Sequence, residues 1–197
     1  QHHKRGNVPP NQFIHVAEDA GLINLLGMAV LVRCCQDAHL FKDRDGRQIK
    51  IAVNVSASQL RLPDFTNQFL STIQQSGLAP SDFDVEITET VFADDDPHFR
   101  NAIREFEEAG VNLAIDDFGT GFSNLNRLRQ LPVSTLKLDI SLIRGLPGTK
   151  DERAIAEAAI AMSQRLGFES VAEGVETNAQ LEILTDIGCD SVQGFLF

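Results

Sequence analysis

Two adjacent aspartates, Asp116 and Asp117, close an apolar run and are followed at once by Gly119, Thr120 and Gly121, in the stretch AIDDFGTGF (114–122). Neighbouring carboxylates repel each other, so either water screens them or a cation lies between them. Other apolar runs also close on polar residues: Asn54, Glu86, Lys137, Glu173 with Glu176, and Gln193. Carboxylates joined by one amide oxygen make a hard donor set that suits Mg²⁺ or Mn²⁺. Two such ions sharing a carboxylate activate a water and stabilise the leaving oxygen in phosphodiester hydrolysis. In that chemistry Lys137 orients the nucleophile or neutralises a phosphate. The Gly-Thr-Gly turn lets the following loop fold close over the site.

Each residue has a plainer reading when taken alone. Asp116-Asp117 reads equally as a solvated turn, and Asn54 as a turn residue. Lys137 reads as a snorkelling edge lysine. Glu173 and Glu176 read as charges at a helix start. The plain readings leave their joint placement unexplained: one polar group per repeating unit, always at the same end.

The elements that must place these residues follow a rhythm. β-rich runs occur at 50–56, 82–90, 112–118, 134–140, 169–176 and 190–197. Between them lie helical periods over Phe65 to Gln75, Pro97 to Ala109 and Asp151 to Leu166, and helices stop at Gly77, Gly110, Gly167 and Gly188. Six alternations demand a parallel sheet covered by helices. Alternation alone allows an open doubly wound sheet or a closed barrel. The C-terminal strand ends of a barrel meet at one mouth; in an open sheet only those near a switch point meet. Six convergent polar ends favour the barrel.

The bulk numbers fit one globular domain: 197 residues, 43% hydrophobic and 23% charged. No apolar run is long enough to span a bilayer, and no signal-peptide pattern opens the chain. A net charge of −11 argues against binding long nucleic acids. It leaves room for a small anionic ligand if cations mediate. Cys34, Cys35 and Cys189 are an odd set with two adjacent, which predicts reduced thiols and a cytoplasmic setting. A membrane anchor in another part of a longer protein is compatible with this.

At these residues the chain resembles the EAL-type cyclic di-GMP phosphodiesterases of bacterial signalling. The matching stretches are VPPNQFIHVAEDAGLI (8–23), VNVSASQL (53–60), EITET (86–90), DDFGTGFSNL (116–125), LKLDIS (136–141), VAEGVET (171–177) and GCDSVQGFLF (188–197). They run the whole length in order. The resemblance implies a modified (β/α)₈ TIM-type barrel that hydrolyses cyclic di-GMP to linear pGpG with two Mg²⁺ or Mn²⁺ ions. It implies that Asn54, Glu86 and Asp116 hold the first metal. Asp116 bridges to the second, which Asp117 and Glu173 complete. Lys137 corresponds to the lysine on the hydrolytic water, and Glu176 and Gln193 to residues at the substrate and water site. Glu89 corresponds to the glutamate that pins the loop after Asp117. That loop, Phe118 to Asn124 with Gly119, Thr120 and Gly121, corresponds to the segment coupling dimerisation to activity. Asp139 falls in the matched LKLDIS stretch, on the substrate and loop side. Gln59 matches a motif position to which no role is assigned.

The sequence also departs from the family pattern. The Glu-x-Leu motif that names the family is absent; the resemblance places it upstream of Gln1, with its glutamate a first-metal ligand. His2 matches the family's opening stretch, and His3 stands where proline is common. Phe122 replaces a usual tyrosine, Asn124 a usual serine, and Ile140 a usual basic residue. A barrel of this class takes about 250 residues. The chain therefore reads as a partial EAL domain over 1–197, strands 3 to 8 of the barrel in about six βα units, without a second domain. On that reading the first two strands and the last helix are expected outside these residues. Two unpaired sheet edges predict that the isolated chain is unstable or oligomerises, and the missing ligand predicts negligible turnover by the chain alone. The expected partners are cyclic di-GMP, a second copy in the complete domain, and an upstream diguanylate-cyclase-like or sensor domain. The alternative is a degenerate cyclic di-GMP receptor, which Ile140 favours. A pure scaffold has no use for the retained charges.

Overall fold

The computed structural model describes residues 6–89, 96–121 and 128–197. His2, His3, Thr90, Phe122 and Asn124 lie outside the described residues, as does the part of the predicted loop from 122 to 124.

Six strands are present among the described residues: β1 Ile51–Asn54, β2 Phe83–Thr88, β3 Asn112–Phe118, β4 Thr135–Leu138, β5 Glu169–Glu173 and β6 Ser191–Gln193. All five pairings are parallel, and the order is β1-β2-β3-β4-β5-β6 without a reversal. A doubly wound sheet reverses its order at a switch point. Sequential order is that of a barrel, and the sheet is a curled sector of one. The β-rich runs are confirmed: β3 spans its whole run, 112–118, and the other strands are trimmed at their ends. The 169–176 run, for instance, stops at Glu173 because Gly174 takes φ +71°.

The helices are α1 Pro10–Asp19, α2 Ile23–Asp37, α3 Ala57–Leu60, α4 Phe65–Gln75, α5 Pro97–Ala109, α6 Ile140–Ile143, α7 Lys150–Leu166 and α8 Asn178–Asp186. The three predicted helices are α4, α5 and α7. In α5, Asp96 caps by accepting from the His98 N–H at 2.7 Å, Pro97 supplies a preset φ, and Gly110 ends the helix at φ +81°. Its buried residues Phe99, Ala102, Ile103 and Phe106 follow the helical period and form one stripe. Thr149 and Glu152 form a capping box that starts α7. No helix among the described residues is long and apolar enough to cross a membrane.

The core lies between the helices and the convex side of the sheet. Phe65 and Phe69 of α4, Phe106 of α5 and Phe83 of β2 meet there, with Phe69 and Phe106 edge-to-face at 5.1 Å. All four are essentially buried. Burial of each contributes about 2 kcal/mol. Because Phe83, Val85 and Ile87 face the helices, strand alternation turns Asp84, Glu86 and Thr88 to the concave side.

Candidate active site

Register carries that alternation around the sheet, because residues paired across parallel strands share a face. Asn54 pairs with Glu86, and Glu86 with Ala114, so Asp116 follows on the same face. Ala114 pairs with Thr135, which puts Lys137 there too; Lys137 pairs with Val171, and Glu173 with Gln193. Asn54, Glu86, Asp116, Lys137, Glu173 and Gln193 therefore all lie on the concave face, at or near the C-terminal strand ends.

Asp117 should break the pattern, since the residue after Asp116 belongs on the helix side. A bulge corrects it. Ile115 pairs with Leu136 and Phe118 with Leu138, so Asp116 and Asp117 together stand opposite the single residue Lys137. Among the described residues Asp117 is the only non-glycine with positive φ, at 56°. Aspartate tolerates that left-handed conformation better than most residues. The result brings ligand oxygens of Asp116, Asp117 and Glu173 within 4.8 Å of one another.

Lys137 sits at the centre. Its Nζ lies 2.7 Å from Glu173 Oε1, 2.9 Å from Glu86 Oε1 and 3.0 Å from Asp116 Oδ1. An ammonium has three donors, and these contacts use all three. Burial alone would lower the pKa of Lys137, but the hydrogen bonds it donates to Glu173 and Glu86 overcome this and raise the value. Burial raises the pKa of Glu86 even against the pull of Lys137. Asp117 is also raised, first by burial and then by the charges of Asp116 and Asp139. Four carboxylates against one ammonium leave an excess of negative charge in a nearly buried place. Oxygen donors short of positive charge fit hard divalent cations.

The remaining predicted residues are more dispersed. Glu89 is buried, and its Oε2 accepts from the Gly119 N–H at 3.1 Å; Gly121 lies beside the same carboxylate. Thr120 turns back on Asp117, its hydroxyl donating to the Asp117 carbonyl at 2.9 Å. Asp139 caps α6 by accepting from the Ser141 N–H at 2.9 Å. Asn54 is exposed at the end of β1 and lines an apolar cleft with Phe13, Ile14 and Gln59. Glu176 is exposed beyond β5, with its N–H donating to Gln180 Oε1 at 2.8 Å, and Gln193 is an exposed neighbour of Glu173.

Comparison with known proteins decides the family: residues 1–197 match the EAL domain. The chain belongs to the EAL domain family. Cyclic di-GMP phosphodiesterase NbdA of Pseudomonas aeruginosa is 38% identical over 197 residues, covering 100% of this chain and 25% of that protein. The bifunctional diguanylate cyclase/cyclic di-GMP phosphodiesterase MucR of the same organism is 38% identical over 196 residues, 100% of this chain and 29% of MucR. A solved structure of the PaMucR phosphodiesterase in complex with c-di-GMP superposes with a TM-score of 0.89 at 38% identity, covering 99% of this chain and 79% of that one. Klebsiella pneumoniae BlrP1 with manganese and cyclic di-GMP gives 0.82 at 30% identity, covering 98% and 48%. The EAL chain spans 24%, 25% and 29% of three curated relatives it matches.

Two features of this EAL domain escaped sequence reasoning. The bulge has no composition signal, because a single extra residue in a strand shifts no hydrophobic period visible over so short a run. Gln59, matched without a role, is nearly buried, accepts from the Ser56 N–H at 3.1 Å and packs against Gly27 of α2. The spacing Ser56-x-x-Gln59 is a capping-box signature that could have shown it.

Proposed function

We propose that the protein carrying this domain hydrolyses cyclic di-GMP to linear pGpG, using two divalent cations, Mg²⁺ or Mn²⁺. The observation that carries the reading is the bulge, which sets Asp116 and Asp117 opposite Lys137 with Glu173 alongside. Asn54, Glu86 and Asp116 would hold one ion in this reading, and Asp116, Asp117 and Glu173 would hold the other. Bound cations supply Lewis acidity toward a water and toward the phosphodiester oxygens.

The reaction adds water across one P–O bond, leaving a terminal phosphate and a free ribose hydroxyl. The water must lose a proton and the leaving oxygen must gain one. Were Glu86, Asp116 and Glu173 to hold cations, Lys137 would have N–H donors to offer the attacking water or a phosphate oxygen. Glu89 holds the Gly119 backbone, fixing the turn that follows Asp117. Glu176 and Gln193 stand on the exposed rim, on the substrate side. The names of NbdA and MucR and the c-di-GMP complexes of PaMucR and BlrP1 support this assignment.

The same reading extends to a homodimer of the complete domain and to a diguanylate-cyclase-like or sensor segment elsewhere in the protein, as the name of MucR suggests. It also places the domain in the cytoplasm, with any inner-membrane anchor in another segment. The test is incubation of the full-length protein with Mn²⁺ and cyclic di-GMP while following pGpG. Product that disappears in Asp116→Ala is expected. Ligand binding without product, from a folded and metal-loaded protein, would replace the enzyme with a receptor.

A further inference from the structure

β3 carries Asp116 and Asp117 just before its last residue, and β5 ends on Glu173; a turn follows each strand. Lys137 links Asp116 and Glu173 from inside the site, while the turns beyond them are braced from outside. The short helix α6 touches both. On one side, the Asp139 N–H donates to the Phe118 carbonyl at 3.1 Å. Leu142 lies over Gly119, where an added Cβ would stand 2.6 Å from Leu142 Cδ1. On the other side, Ile140 fills the space that a Cβ on Gly174 would take. The Ile143 carbonyl accepts from Gln180 Nε2 at 3.3 Å, and the same carboxamide accepts from the Glu176 and Thr177 N–H groups. Both glycines have positive φ, +104° at Gly119 and +71° at Gly174. Two turns with bare backbone thus receive two apolar side chains from one helix.

Ile140 gives the arrangement its meaning. Ile143 belongs to the hydrophobic core and Leu142 packs against it, whereas Ile140 lies outside that cluster, half-buried at a polar mouth. Core packing does not account for an isoleucine there; contact with Gly174 does. We propose that Ile140 and Leu142 are positioning residues of the metal site. As a clamp they fix the distance between the Gly119 turn beyond Asp117 and the Gly174 turn beyond Glu173, so that the carboxylates are held ready for cations. The replacement of a basic residue by Ile140 is then a gain of rigidity between the turns as well as a loss of charge. The inference rests on the metal-dependent function proposed above.

The test uses the full-length protein with Ile140→Ala, Leu142→Ala and the double variant. Mn²⁺ affinity is read by calorimetry, kcat and KM with cyclic di-GMP, and melting temperature in EDTA. Each single variant is expected to weaken Mn²⁺ binding about tenfold, the usual scale for groups that orient metal ligands, and to lower kcat more than KM. The double variant is expected to do little worse than either single one, since releasing one turn already breaks the clamp. Should Ile140→Ala not fold, Ile140→Val trims the same contact and carries the test with a smaller weakening. Wild-type Mn²⁺ affinity and kcat in the Ile140 variants, whatever their melting temperatures, would overturn the clamp alone. A wild-type protein that takes up no Mn²⁺ would overturn the metal site itself, and the clamp with it, before any variant is compared.

Discussion

Asp117 shares a face of the sheet with Asp116, although the two are adjacent in one strand. Regular alternation would bury one of them among the helices. Instead both stand opposite Lys137 across the β3–β4 pairing, with Asp117 at φ +56°. Two neighbouring carboxylates on one face are a repulsive arrangement maintained by backbone geometry. A fold with no use for that cluster would gain from relaxing it.

That relaxation is measurable. Asp117→Gly removes both a left-handed side chain and a charge crowded by Asp116. In EDTA it should melt higher than wild type, by about 1 kcal/mol from the backbone alone. Asp117→Asn should keep the fold, since asparagine also tolerates this conformation. Both should lose Mn²⁺ affinity and turnover, the trade expected where stability is given up for function. A less stable glycine variant would contradict the assignment of strain to this site.

Lys137 is the positive charge that the described structure places among Glu86, Asp116 and Glu173. Lys137→Met should cost about 3 kcal/mol in EDTA, the scale for leaving buried partners of an ion pair uncompensated. Mn²⁺ should return much of that loss, because cations take over the neutralisation. Urea melts with and without Mn²⁺ check both. A loss that is equal in the two conditions would mean that cations and Lys137 do not share these carboxylates.

Much of this was legible in the sequence because parallel strands bury both faces and helices keep one apolar stripe. Six strands, three helices and the shared concave face of Asn54, Glu86, Lys137, Glu173 and Gln193 follow from runs and periods. The position of Asp117 does not, because it depends on one extra residue and one unusual dihedral. The contacts of Ile140 and Leu142 with two glycines were hidden for a related reason. A glycine in sequence announces a turn, but not which distant side chain occupies the space it leaves.

Gly119→Ala tests that space from the other side. A Cβ there meets Leu142 at a backbone position with φ +104°. The variant should lose about 2 kcal/mol of stability through overpacking and backbone strain, and its turnover should fall further than its melting temperature suggests. Circular dichroism melts set beside pGpG production check this. An alanine variant as stable and active as wild type would exclude close packing at this turn.

A pH-dependent contribution lies away from the site. The Asp190 carboxylate accepts from the Ser170 N–H at 2.8 Å and the Ser170 hydroxyl at 2.7 Å, and these bonds lower its pKa. A carboxylate whose folded pKa is depressed stabilises the fold above its unfolded value, about 3.9 for aspartate. That contribution disappears as pH falls through the folded value. Wild type should therefore exceed Asp190→Asn in stability at neutral pH, and the two should converge in acid. A gap that is constant with pH would show that the hydrogen bonds favour no charged form.

The bulge brings Asp117 to the face of Asp116, and the proposed two-cation site makes Asp116 the ligand that both ions share. The most direct measurement is anomalous diffraction from crystals of the full-length protein grown with Mn²⁺. Two peaks are predicted, both within coordination distance of Asp116, one also beside Glu86 and the other beside Asp117 and Glu173. A single peak that leaves Asp117 unligated, or none at these strand ends from a fully Mn²⁺-saturated protein, would contradict it.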